Sequence, residues 1–166
     1  MQTKKLNSNQ KEESTNITDY EILKLDNQLC FSLYVCSKEI IKKYKPMLDP
    51  YGLTYTGYII MLALWEKDQI TVKDLGKRLY LDSGTLTPML KKLEALDYIK
   101  RIRSSLDERN VYIQLTRKGI DFKEKALQIP KDLICALDLE PQTANTLLNA
   151  LHNMMDLLNT PEDSEK

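Results

Sequence analysis

TVKDLGKRLYLDSGTLTPMLKKLEALDYIKRIRSSLDERNVYIQL, residues 71–115, is the stretch that decides the fold. Thr71 stands where it can cap a helix running through Tyr80, with Val72, Leu75 and Leu79 on the buried side. A short break follows, and Asp82 or Ser83 caps a second helix that reaches about Leu96. Leu86, Met89, Leu90 and Leu93 form its apolar stripe, leaving Thr85, Thr87, Lys91 and Lys92 outside. Pro88 deletes one backbone donor, a defect limited by its closeness to the helix start. Residues 98–102 and 111–115 then read as two strands joined by a polar hairpin over 104–110. Helix, turn, helix, strand, turn, strand is the order of a winged helix-turn-helix: mainly α, with a small β wing.

A long helix is predicted upstream, from about Asp19 to Leu48. Ile22, Leu25, Leu29, Leu33, Cys36, Ile40 and Tyr44 recur in it at steps of three and four. Asp49-Pro50-Tyr51-Gly52 ends it. A second helix is expected from Thr54 to Glu66, with Tyr58, Met61, Leu62 and Trp65 inward, and Ile70-Thr71 forms a short strand. Downstream, Thr116 opens a helix to about Gln128, Pro130 bends or interrupts it, and the pattern resumes through Leu137. Pro141 begins a last helix ending near Asn159, with Leu147, Leu148, Leu151, Met155 and Leu158 inward. The resulting organisation has a disordered arm over 1–18, a long N-terminal helix over 19–52, a winged helix-turn-helix over 53–116, C-terminal helices over 117–160 and a disordered tail over 161–166.

The formal net charge of the 166 residues is zero, so the distribution of charge carries more information than its sum. Between Thr71 and Arg103 eight basic residues face four acidic ones, a local excess of four positive charges. No apolar run is long enough to cross a membrane. The N-terminus carries no apolar signal core. Three cysteines form no even-numbered disulfide framework. A cytoplasmic protein with reduced thiols is therefore expected, with no membrane partner. No metal-ligand spacing and no glycine-rich phosphate loop is present, so neither metal nor cofactor is expected.

The second helix of residues 71–115 has the chemistry to read a major groove. Ser83, Thr85, Thr87, Lys91 and Lys92 can meet phosphates and base edges. The hairpin tip carries Asp107 and Arg109, and an Arg steadied by an acid suits a narrow minor groove. Arg101 and Arg103, on the same wing, can hold phosphates. A winged helix used only for protein contacts is the main competitor on the residues alone.

These residues resemble the MarR family, and within it the OhrR-type sensors of organic hydroperoxides. The block from Leu79 to Glu94, LYLDSGTLTPMLKKLE, carries the likeness. So do Asp26-Asn27-Gln28-Leu29-Cys30-Phe31 and Asp107-Glu108-Arg109, and the resemblance extends from about Leu25 to Leu158. It implies a MarR-type homodimer in which N- and C-terminal helices form the dimer interface. It also implies repression at an inverted-repeat operator on double-stranded DNA, relieved when an organic hydroperoxide oxidises one cysteine. The thiol reaction is then stoichiometric signalling, and no enzymatic turnover is expected.

The three cysteines read differently. Cys36 lies in the apolar stripe of the first helix and reads as a small hydrophobe. Cys30 lies about 120° around that helix from it, on a flank with Leu23, Tyr34 and Ile41 that is either a subunit seam or a pocket wall. The resemblance makes Cys30 the redox-sensing residue. A free thiol with a pKa near about 8.5 needs help to ionise at neutral pH. The resemblance implies that Tyr44 and Tyr55 reach Cys30 of the opposite subunit and that Tyr34 lines the same site. From the residues alone each tyrosine reads as well as core packing. Cys135 stands where two-cysteine relatives place a resolving thiol, which implies an intersubunit disulfide with Cys30. Its apolar neighbours Ile134 and Leu137 also fit inert filler. The alternatives are a repressor of the same fold released by a phenolic or other small ligand, and a thiol peroxidase.

Overall fold

The computed structural model describes residues 20–103 and 110–158. The expected arm, the expected tail and the hairpin tip with Asp107 and Arg109 lie outside the described residues. Backbone contacts divide the chain into two units between Glu39 and Ile40.

In the first unit the long helix does not start at Asp19. Two 3-10 turns, Glu21–Leu23 and Leu25–Asn27, precede helix α1, Leu29–Leu48. Lys24 and Gln28 are extended between them. The cause is local competition for backbone carbonyls. The Asn27 side-chain amide donates to Glu21 O at 2.7 Å, and that of Gln28 donates to Ile22 O and Lys24 O. Short amide side chains offer the backbone an alternative to helical bonding. The apolar spacing of Ile22 and Leu25 therefore misleads about the helix start. Leu25, Leu29 and Cys36 are exposed in the single chain, so the reading of Cys36 as buried filler is corrected. Periodicity marks an apolar face but not the body that covers it.

The second unit is built around Leu48, Ile60, Met61, Leu64, Leu75, Leu86, Leu90, Leu93, Ile99 and Ile113, all essentially inaccessible. α1 ends at Leu48, and a 3-10 turn over Asp49–Tyr51 closes on Gly52 at φ 69°, a left-handed conformation that favours glycine. Helix α2, Tyr55–Glu66, is capped by Thr54, whose hydroxyl accepts from Gly57 N. It is apolar on most sides and buries Tyr58, Ile60, Met61 and Leu64. Leu62, expected inward, is 39% exposed. Strand β1, Ile70–Thr71, leads into helix α3, Val72–Leu79, which stops at left-handed Tyr80. Helix α4 is Ser83–Ala95, and strands β2, Ile99–Arg103, and β3, Val111–Leu115, form the wing. The sheet order is β1-β3-β2, antiparallel throughout, with Ile70 opposite Ile113 and Arg103 opposite Val111.

Helix α5, Arg117–Ala126, is locked to the base of the wing. The Thr116 hydroxyl accepts from Gly119 N and donates to Asp97 O at 2.6 Å. Trp65 Nε1 donates to Gly119 O at 2.9 Å. α5 comes so close to the wing that a Cβ on Gly119 would fall 2.1 Å from the Tyr98 carbonyl oxygen. Helix α6, Gln128–Leu137, carries Pro130 inside it, and the break falls at Leu127 instead. The proline ring strains against the carbonyl four residues back, at Ala126, and so ends α5 there. In the last helix, α7 over Pro141–Leu158, no residue is buried. Leu147, Leu148, Met155 and Leu158, expected inward, are exposed in the single chain, and Leu151 is half-buried.

Candidate nucleic-acid interface and thiol sites

Asp82 caps α4. Its carboxylate accepts from Thr85 N at 2.9 Å and from the Thr85 hydroxyl at 2.8 Å. The bond from the Thr85 backbone, then that from its side chain, holds the Asp82 carboxyl below its ordinary value of 3.8. The cap is thus ionised at neutral pH and complements the positive end of the helix. Leu86, Leu90 and Leu93 anchor the inner face. Outside, Ser83, Thr87 and Lys91 lie four residues apart on one line, with Lys92 beside Lys91. Ser83, Thr85, Lys91 and Lys92 are exposed. Thr87 is half-buried and borders a recess of about 250 Å3 between α3, α4 and the wing. Pro88 lies inside α4 at an exposed position and removes one helical hydrogen bond there.

Among the described residues, two of the basic groups in this stretch are paired. Arg78 meets Glu66 at 2.9 Å. Arg101, expected to hold a phosphate, meets Glu94 at 2.6 Å. Arg103, at the end of β2, is exposed. Sequence reasoning missed Glu94, because nothing periodic links a residue late in a helix to a strand residue seven positions on.

All three thiols are free and exposed. In the first unit, Cys30 occupies the second position of α1 and Tyr34 lies one turn later. Tyr34 is 60% exposed, and Lys38 Nζ sits 5.6 Å from its ring centroid. In the second unit, the rings of Tyr44 and Tyr55 stand 4.9 Å apart, and Tyr58 lies 5.8 Å from Tyr44. Tyr58 as a member of this cluster was not singled out beforehand, because its spacing marks only a buried helix face. Burial, followed by the neighbouring Tyr55 and Tyr58, pushes the Tyr44 hydroxyl up to about 12. It therefore remains protonated, a hydrogen-bond donor, across the physiological range. Cys135 lies near the end of α6, at the edge of a depression shared with Ile134, Asp138 and Pro141. Among the described residues no His, Cys, Asp and Glu side chains group as metal ligands, and no helix is long and apolar enough to cross a membrane.

Comparison with known proteins finds the chain similar to transcriptional regulators. Residues 42–126 match the family model described as transcriptional regulator SarA/Rot. The chain is 46% identical over 139 residues to an organic hydroperoxide resistance transcriptional regulator of Bacillus subtilis, covering 84% of this chain and 95% of that one. It is 49% identical over 132 residues to the transcriptional regulator SarZ of Staphylococcus saprophyticus, covering 80% and 90%. Among solved structures, reduced AbfR bound to DNA superposes with a TM-score of 0.69 at 33% identity, over 86% of this chain and 100% of that one. The same regulator has been seen overoxidised and bound to DNA, and in a disulfide form with a TM-score of 0.59.

Proposed function

The chain belongs to the SarA/Rot family of transcriptional regulators and shares the fold of MarR, and from that premise we propose that it is a redox-sensing repressor of the organic-hydroperoxide class. The observation that carries this reading is the identity to the Bacillus hydroperoxide regulator across nearly the whole of that protein. In this reading residues 53–116 bind DNA, and the helices of 19–52 and 117–160 pair two copies. The exposed leucines and methionine of α7 support such pairing, since contiguous apolar surface of this kind marks an interface. Two copies present two α4 helices to the half-sites of an inverted repeat. Ser83, Thr85, Thr87, Lys91 and Lys92 meet the major groove, Arg103 a phosphate, and the Asp107–Arg109 tip the minor groove.

The switch is Cys30. Its thiolate attacks the terminal oxygen of a hydroperoxide, breaking the O–O bond to give a sulfenic acid and an alcohol. Tyr44 and Tyr55 of one copy donate hydrogen bonds to the Cys30 sulfur of the other, and Tyr34 lines the same site. Cys135 of the second copy then attacks the sulfenic sulfur, forming a disulfide and releasing water. Closing that bond needs Cα atoms within about 7 Å, and a dimer strained to meet that distance shifts its wings off register. AbfR supports assigning release to the disulfide, because that protein has been captured on DNA in an overoxidised form.

Non-reducing electrophoresis after cumene hydroperoxide, paired with operator gel shifts, tests this. Wild type should give a covalent dimer and lose the operator. Cys30→Ser should keep the operator and give no dimer. A dimer band surviving Cys135→Ser sinks the resolving role. Release surviving Cys30→Ser points to a bound small ligand, and sustained hydroperoxide consumption points to a peroxidase.

A further inference from the structure

β2 is an edge strand of the wing. The outward backbone donors of an edge strand have no strand partner. At Arg101 that donor is taken by a side chain from another element. Arg101 N donates to Glu94 Oε1 at 3.1 Å, and Arg101 Nε donates to Glu94 Oε2 at 2.7 Å. Nη2 of the same guanidinium reaches Oε2 at 2.6 Å. Both side chains are about one-third exposed. One carboxylate near the end of α4 therefore grips the backbone and the guanidinium of the wing together. Charge-assisted bonds are short and strong, and here one carboxylate oxygen takes two guanidinium donors while the other takes the backbone N–H, which fixes geometry as well as supplying energy.

We propose that Glu94 is a positioning residue for operator binding: it sets the pose of the wing relative to α4 through Arg101, and Arg101 makes no phosphate contact of its own. The inference rests on the DNA-binding reading above and deepens it. A phosphate contact and a positioning clamp predict opposite behaviour. If Arg101 held a phosphate, Glu94 would compete for it, and removing Glu94 would tighten binding. If Arg101 is a strut, removing either partner loosens the wing and weakens binding, and removing both does little more than removing one. Lysine also separates the two roles. It keeps the charge a phosphate needs but cannot reproduce the guanidinium fork.

The test is operator affinity of the full-length reduced protein, measured across a salt series for wild type, Arg101→Ala, Arg101→Lys, Glu94→Ala, Glu94→Gln and the double alanine variant. Thermal midpoints are recorded for each. Each alanine variant should weaken binding about 10-fold, and the double variant should stay near 10-fold rather than 100-fold. Arg101→Lys should behave like Arg101→Ala. Glu94→Gln, which keeps an acceptor for Arg101 N, should recover part of the loss. The slope of log affinity against log salt should stay at the wild-type value in Arg101→Ala, whereas a lost phosphate contact lowers it by about 0.9. Hydroxyl-radical protection should be lost only at the outer positions covered by the wing, a pattern that general destabilisation does not produce. Tighter binding by Glu94→Ala, a slope drop in Arg101→Ala, or wild-type behaviour of Arg101→Lys overturns the proposal alone. A wild-type protein with no salt-dependent operator binding overturns it together with the function it rests on.

Discussion

Replacing Gly119 by alanine should be strongly destabilising, although alanine is the better helix former. Gly119 is the third residue of α5, and its Cβ would sit 2.1 Å from the Tyr98 carbonyl oxygen and 3.1 Å from the carbonyl carbon. Cβ contacts under 3.0 Å essentially do not occur, so helix and wing must separate by 0.9 Å. Both obstacles are backbone, so no side chain can rotate away. The same separation stretches the bond from Thr116 N to Tyr98 O, now 3.0 Å, and pulls Gly119 O from Trp65 Nε1. Overpacking of this kind costs about 1–3 kcal/mol. Each weakened hydrogen bond adds about 1 kcal/mol. Alanine returns about 1 kcal/mol of helix propensity. Taken together the net loss is about 2–4 kcal/mol, or about 4–16 °C in Tm, with the rigid overlap favouring the upper end. Gly57→Ala is the internal control, since its Cβ meets only ordinary contacts of 3.5–3.6 Å and should leave stability unchanged or slightly raised. Unfolding followed through Trp65, the single tryptophan, compares the two variants. A Gly119→Ala protein as stable as Gly57→Ala would refute the steric argument.

Two further outcomes follow from charge. The folded chain holds the Tyr44 proton more tightly than the unfolded chain, at about 12 against 10.0. That contribution to stability is complete below pH 10 and is lost as pH rises through about 12. Urea midpoints measured from about pH 9 upward should therefore fall less steeply in Tyr44→Phe than in wild type, and parallel curves would contradict the assignment. Lys92→Ala should weaken binding to operator and unrelated duplex alike and lower the salt slope by about 0.9. An unchanged slope would remove Lys92 from the phosphate-contacting set.

Residues 71–103 and 111–115 were legible because local rules determine them. Thr71, Asp82 and Thr116 are caps with side-chain oxygens at the right step, and each caps a helix. Leu86, Leu90 and Leu93 repeat at helical spacing and are buried together. The strand pair of the wing followed from two strand-like runs on either side of a polar stretch. The differences have other causes. The start of α1 was misplaced because Asn27 and Gln28 bond backward to carbonyls, a choice that apolar spacing does not encode. The helix opened by Thr116 is interrupted as expected, at Leu127 ahead of Pro130, because proline acts on the carbonyl four residues behind it. Cys36 and the apolar residues of α7 are not covered by the single chain, because apolar spacing marks a face without saying whether the same chain or a second copy covers it.

The sequence by itself therefore determined the order of elements and the inner and outer faces of α4. Tertiary structure alone decided the closeness of α5 to Tyr98, the gathering of Tyr44, Tyr55 and Tyr58, and the capture of Arg101 by Glu94. Caps and periodicities act over three or four residues and leave a regular imprint on the sequence. Contacts between a helix end and a strand, or between two helices, depend on how folded elements meet in space, and no spacing records that.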